Sequence, residues 1–181
     1  MESIKSKIRA LSHEGVNKTG DCGPACLAGI SGKSITEIYH IHGRIDGLSY
    51  SDIIKTLNVL GLEYENYLPN YNRHSDNPEY FEFGMPAYRN FNAWWDLSIS
   101  RMKKGFVGLA KVHINGQANT EDFANHFVII YGMQKRKEHS AKDLIVLISC
   151  PTKGEYEIEA KNFLWKYGGY NAIWVKPCGG F

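Results

Sequence analysis

Cysteine and histidine are the residues of this chain best suited to covalent chemistry, and it carries four of the first and seven of the second. A thiolate attacks a carbonyl carbon when a nearby base manages its proton and a third group steadies that base. Cys22 stands between Asp21 and Gly23-Pro24, at what reads as the start of a helix over 21–30. A helix N-terminus offers free N–H groups and the positive end of the dipole, and both favour an anionic sulfur. The bland reading is that Cys22 is a small buried hydrophobe, which most free cysteines are. His126 opens the strongest β run of the chain, His126-Phe127-Val128-Ile129-Ile130-Tyr131-Gly132. A histidine at a strand mouth faces a cleft and can serve a thiol as base. The plain alternative is a satisfied histidine at a strand end. His13, His40, His42, His74, His113 and His139 fall in loops, helices or a strand interior with no comparable setting.

The cysteine pattern excludes other chemistry. Cys22-x3-Cys26 is not the Cys-x2-Cys of zinc sites and redox pairs, and no second close Cys/His pair completes a ligand set. Neither a metal nor another cofactor is expected. Four cysteines in 181 residues is sparse for a disulfide framework, and the N-terminus mixes charges without an apolar core typical of export signals. Reduced thiols and a cytoplasmic location follow as expectations.

The elements that must carry these residues can be read from periodicity. Ile4, Ile8 and Leu11 have helical spacing, which predicts a short helix over 4–11. Asp21 is the expected N-cap of the next helix, Pro24 falls in its first turn, and Gly29 and Gly32 mark its end. Ser34 and Glu37 form a capping box for a helix over 34–42. Ile53, Ile54, Leu57 and Leu60 share one face of an amphipathic helix over 49–60, stopped at Gly61. A strand is expected over 62–67, a long structured loop over 69–88, and a helix over 91–102. From Gly105 the character turns to β, with strands over 106–114, 126–131, 144–149, 156–158 and 172–176 and a short helix over 160–167. Helices first and a mostly antiparallel sheet second make an α+β fold, with a cleft between the halves.

Composition agrees with a globular chain: 43% hydrophobic, 22% charged, and a net charge of +2. A length of 181 residues predicts one domain over 1–181 that folds without staples. The near-neutral balance argues against nucleic acid as a partner. Apolar runs such as 128–131 and 144–148 fall far short of the ~20 residues of a membrane helix, so no membrane partner is expected.

Asp21-Cys22-Gly23-Pro24-Ala25-Cys26-Leu27 resembles the nucleophile segment of the papain-like cysteine peptidases, and within them the bacteriocin-leader (double-glycine) peptidase family and its relatives. Asn125-His126-Phe127-Val128-Ile129-Ile130-Tyr131-Gly132 is similar to the His-bearing strand of that family. The helix ending at Gly61, the strand before Pro151 and Gly154, and the segment 163–165 extend the resemblance over 20–176. It implies a papain-like fold in which an N-terminal helical half packs on a C-terminal sheet. It also implies a peptidase acting through a thioester acyl-enzyme on a peptide or protein substrate, with Cys22 as nucleophile and His126 as its partner. Cys26, one turn later, is the alternative nucleophile, since papains use the second cysteine of a similar stretch. The size fits a bare papain-like core with neither propeptide nor transporter attached.

The chain departs from the family at two places. The family has a Gln several residues before the nucleophile as an oxyanion donor; here that position is Val16, and Asn17 is the nearest amide. One such donor is worth about 10²–10³ in rate. The family also has an Asp before a Pro behind the histidine. Here the dipeptide is Cys150-Pro151, which makes Cys150 the third member by position, with Asp143 as the alternative. A thiol is the weaker support for an imidazole, and Cys22 and Cys150 converging on one cleft would be able to bond to each other under oxidation. These departures motivate a second function: a decayed papain-like fold that binds peptides, or serves a larger protein assembly such as a virus particle. Acyl transfer uses the same Cys–His pair and is a third. The pair Gly179-Gly180 near the chain end resembles a double-glycine site, a common ending with a small claim to self-processing.

Overall fold

The structure, a computed structural model, describes residues 2–11, 21–43, 48–66, 91–113, 126–136, 144–169 and 172–179. Three helices lie in the first third. Helix α1 spans Cys22–Ser31 and stops at Gly32. Helix α2, Ile35–His42, starts with the capping box of Ser34 and Glu37 that its sequence predicts. Helix α3, Tyr50–Val59, carries a second capping box, from Ser49 and Asp52, and Gly61 follows its end. Helix α4 spans Phe91–Lys103 and the short α5 spans Ala160–Trp165.

Among the described residues seven strands form one sheet: β1 Glu2–Lys5, β2 Tyr64–Asn66, β3 Val107–Val112, β4 His126–Lys135, β5 Leu144–Cys150, β6 Gly154–Glu159 and β7 Ala172–Val175. Their order is β2-β7-β3-β4-β5-β6, every pair is antiparallel, and the sheet does not close. Alternation divides each strand between two cores. Leu109, Phe127, Ile129, Leu147 and Ile173 face the layer of α1, α2 and α3. Ala110, Val128, Ile130, Ile148 and Trp174 form the other core with residues of α4 and α5 such as Trp94, Met102 and Phe163. Covering both faces is why β4 reads as a continuous apolar run instead of alternating.

The fold is α+β and papain-like, as expected, but three local expectations are corrected. Residues 4–11 are not a helix. Residues 2–5 are β1, with Ile4 opposite Met133 and Lys5 opposite Gly132. Strand β3 pairs with β4 only as far as Ile130, and β1 takes the free edge of β4 beyond that point. Pairing of that edge outweighs a three-residue helical pattern, because an isolated helix that short is unstable by itself. Together β1 and β2 also mean that the N-terminal part contributes strands, so helices and sheet are less segregated along the chain than expected. Gly29 does not end α1 but lies inside it. A Cβ there would run into the carbonyl oxygen of Arg9, so glycine lets the segment after β1 cross the helix at close range. The expected loop over 69–88 lies outside the described residues.

Candidate active site

Helix α1 delivers Cys22 to the sheet with its first turn pressed on β4. At Gly23 a Cβ would stand 3.2 Å from Leu48 and 3.3 Å from the Phe127 ring, tight enough that glycine suits the contact. Asp21 does not cap this helix through its side chain, a correction to the sequence reading. Its backbone is already helical at φ −80, ψ −4, which leaves its carboxyl without the reach a cap needs. Its carbonyl oxygen accepts from the Ala25 N–H at 2.8 Å instead.

His126 is the first residue of β4 and Cys150 the last of β5, the neighbouring strand. The pairing of Ile129 with Ser149 puts both at the same end of the sheet. His126 Nε2 lies 3.1 Å from Cys150 Sγ. The same imidazole is hydrogen-bonded to Cys22, which also accepts from the backbone N–H groups of Phe127 and Gly23. One ring at the mouth of β4 therefore touches a thiol from the helical layer and a thiol from the sheet. Cys150 has two further partners in the turn that follows it: Thr152 Oγ1 at 3.3 Å and the Lys153 N–H at 3.4 Å. Sequence reading passed over these two. The signal was a Pro-Thr-Lys turn directly after the strand, where a hydroxyl and a free N–H come back onto the preceding side chain.

The electrostatics follow from these contacts. Burial pushes the Cys22 thiol up, but the hydrogen bond from His126, the Phe127 N–H, the imidazolium charge and the Gly23 N–H together hold it below the ordinary thiol value. Burial likewise opposes ionisation of Cys150, and His126, Thr152 and the Lys153 N–H overcome it, bringing Cys150 down to about 6. Burial disfavours the imidazolium of His126, yet its bonds to Cys150 and Cys22 raise it to about 9. At neutral pH the charged His126 ring therefore sits against the Cys150 thiolate, with the Cys22 thiol held below its ordinary value on the same ring. A cationic ring beside a thiol of lowered pKa is an arrangement in which a thiol can act as nucleophile and the ring as general acid.

Cys26 lies fully buried, and burial, then the charges of Cys22 and Cys150, push its thiol well above the ordinary value. It has the properties of an inert packing residue. Cys178 is exposed and remote in sequence from these partners. Asn17 and Asp143, the expected oxyanion donor and the alternative third member, lie outside the described residues. Among the described residues no three His, Cys, Asp or Glu side chains are placed to hold a metal ion.

An open antiparallel sheet, a helix that starts at Cys22 against it, and a histidine at the mouth of β4 make up a papain-like fold. Among solved structures the chain is similar to a double glycine motif protease from an AMS/PCAT transporter, determined in complex with the leader peptide. The TM-score is 0.51, the identity 19%, and the match covers 98% of this chain and 99% of that one. At that identity the likeness speaks for the fold. No family model and no curated protein matches the chain.

Proposed function

We propose that this protein is a cysteine peptidase that cleaves a peptide or protein substrate. The observation that carries the reading is a single imidazole shared by Cys22 and Cys150 at the mouth of β4. In this reading Cys22 Sγ attacks the scissile carbonyl, and the Cys22 backbone N–H, with Asn17, receives the developing oxyanion. His126 gives its proton to the leaving amine as the C–N bond breaks and a thioester forms. It then takes a proton from water, whose oxygen attacks the thioester and releases Cys22. Cys150, in place of a carboxylate, holds the ring and stabilises its charge. The likeness to a protease holding a leader peptide supports a peptide substrate. Among the described residues no helix is long and apolar enough to cross a membrane; a cytoplasmic location is part of the proposal.

The test is iodoacetamide labelling at neutral pH with peptide mapping, beside turnover of a peptide library. Cys22 is expected to label well ahead of Cys26, Cys150 and Cys178, and Cys22→Ala to lose turnover entirely. Full activity in Cys22→Ala would sink the reading. A thiol in the carboxylate's place favours a second reading, a cleft that binds peptides without cutting them. Normal labelling of Cys22 with no turnover on any peptide would select it.

A further inference from the structure

One residue interrupts the apolar lining of the sheet where it approaches Cys22. In β3, Val107 and Leu109 point into the core beneath the helical layer, and strand alternation sends position 111 to the same face. That position is a lysine. Lys111 pairs across the ladder with Phe127. Its ammonium lies 5.5 Å from the centre of the Phe127 ring, and its backbone N–H donates to the Tyr50 hydroxyl at 3.0 Å. Tyr50, at the start of α3, meets the same Phe127 ring edge-on at 5.6 Å. Phe127 is the residue whose N–H donates to Cys22, and its ring is the wall against Gly23. Lys111, Tyr50, Phe127 and the first turn of α1 are therefore linked by contiguous contacts that lead to Cys22, with Tyr50 and Phe127 buried and Lys111 half-buried.

The lysine is half-buried there. Burial pulls its pKa down, while Cys22 and Asp52 are near enough to pull it back up. A half-desolvated ammonium costs free energy that an apolar residue at this core-facing position would not. Val107 and Leu109, earlier on the same face of β3, are apolar and fully buried.

We propose that Lys111 forms, beside Cys22, a subsite for a carboxylate of the peptide substrate. This rests on the peptidase reading of the cleft. The ammonium attracts the carboxylate and orients the chain so that the neighbouring carbonyl meets Cys22 Sγ. Lys111 is a specificity residue, distinct from the Cys–His–Cys group that makes and breaks bonds.

The test compares alkylation of Cys22 by iodoacetate, which is anionic, and iodoacetamide, which is neutral. The ratio of the two rate constants at one pH cancels the thiolate fraction of Cys22, and the charge of His126 is common to all variants. Lys111→Met, which keeps the stem and removes the charge, is expected to lower the ratio roughly 3–10-fold, as one charge at short range in a partly wet cleft would. Lys111→Arg is expected to keep the ratio. Lys111→Gln serves if the Met variant fails to fold by near-UV circular dichroism. An unchanged ratio in a folded, charge-free variant overturns the proposal. Failure of iodoacetamide to label Cys22 in the wild type is a different result and overturns the peptidase reading beneath it, whereas failure of iodoacetate alone overturns the subsite. Two peptide pairs then separate the sources of the carboxylate. Faster cleavage of a peptide with Glu over Gln beside the scissile bond reads a side chain. Faster cleavage with a free over an amidated C-terminus reads a chain end. Indifference to both, with turnover present, also overturns the proposal.

Discussion

Cys150 differs from a carboxylate in one respect that matters for the chemistry. An aspartate is negative at any working pH, whereas a thiol is negative only once its proton has left. Here His126, Thr152 and the Lys153 N–H make that loss easy, so Cys150 titrates at about 6. Below that pH it takes up a proton and its hold on the imidazolium weakens. Above about 9, His126 loses its own proton and no longer has one to give the leaving amine. Turnover is expected to follow a bell with limbs near those two values, belonging to the coupled group as a whole. Cys150→Ala removes a hydrogen bond that raises His126, so the alkaline limb moves down toward the ordinary imidazole value. An unsteadied ring also lowers kcat by roughly 10²–10⁴. Cys150→Asp keeps the alkaline limb high and recovers most of the rate. The pH–rate profiles of the three forms decide the matter; an alanine variant with both limbs in place would leave Cys150 without a role in holding His126.

Among the elements, α1 is the one on which position depends most. Nearly every residue of α1 is buried, with β4 below it and residues 9–11 crossing above. Glycine inside an exposed helix costs about 1 kcal/mol relative to alanine. At Gly29 the sign reverses, because the backbone of Arg9 and Ala10 fills the space a methyl group would need. Gly29→Ala is expected to destabilise the protein by about 1–3 kcal/mol, the usual range for overpacking. A urea denaturation series reads this as a lower midpoint with an unchanged slope. A raised midpoint would mean that the crossing segment moves aside at little cost.

At the scale of the whole molecule, residues 2–11 bind the two sides of the site together. Strand β1 covers the part of β4 that β3 leaves open. Beyond it, the Arg9 guanidinium stacks 3.4 Å over the Tyr131 ring and pairs with Glu155 of β6. The Ala10 N–H donates to Ser149 Oγ at 3.0 Å, one residue before Cys150. The Leu11 N–H donates to the Ala25 carbonyl at 3.1 Å, one turn after Cys22. The helix that starts at Cys22 and the strand that ends in Cys150 are thus joined by the same short stretch of chain. Deleting residues 2–10 removes the packing of Ile4 and Ile8 and exposes an edge of β4. A loss of about 2–3 kcal/mol is expected from the apolar burial of these two half-buried side chains. Thermal unfolding reads the stability, and the selectivity of iodoacetamide for Cys22 reads the site. A truncated protein with the wild-type melting temperature would show that the N-terminal stretch is an ornament of the fold.

The sequence by itself determined the features that depend on near neighbours. The capping box of α2, the amphipathic face of α3 and the strand runs after Gly105 are local patterns, and they stand within a few residues of where periodicity puts them. The pairing of Cys22 with His126 was legible because a helix start and a strand mouth are both local signals, and their order resembles a known family. Tertiary structure alone decided the rest. Ile4, Ile8 and Leu11 have helical spacing, but an open edge on β4, more than a hundred residues along the chain, makes residues 2–5 a strand. The sequence marks Cys150 only as a thiol in a carboxylate's place. Its low pKa arises when a histidine 24 residues away and the turn behind it bring donors to one sulfur. Lys111 reads as one more charge in a strand until the fold sets it against Phe127 and Tyr50. Charge on a side chain is set by what surrounds it in space, and only the folded chain assembles those surroundings.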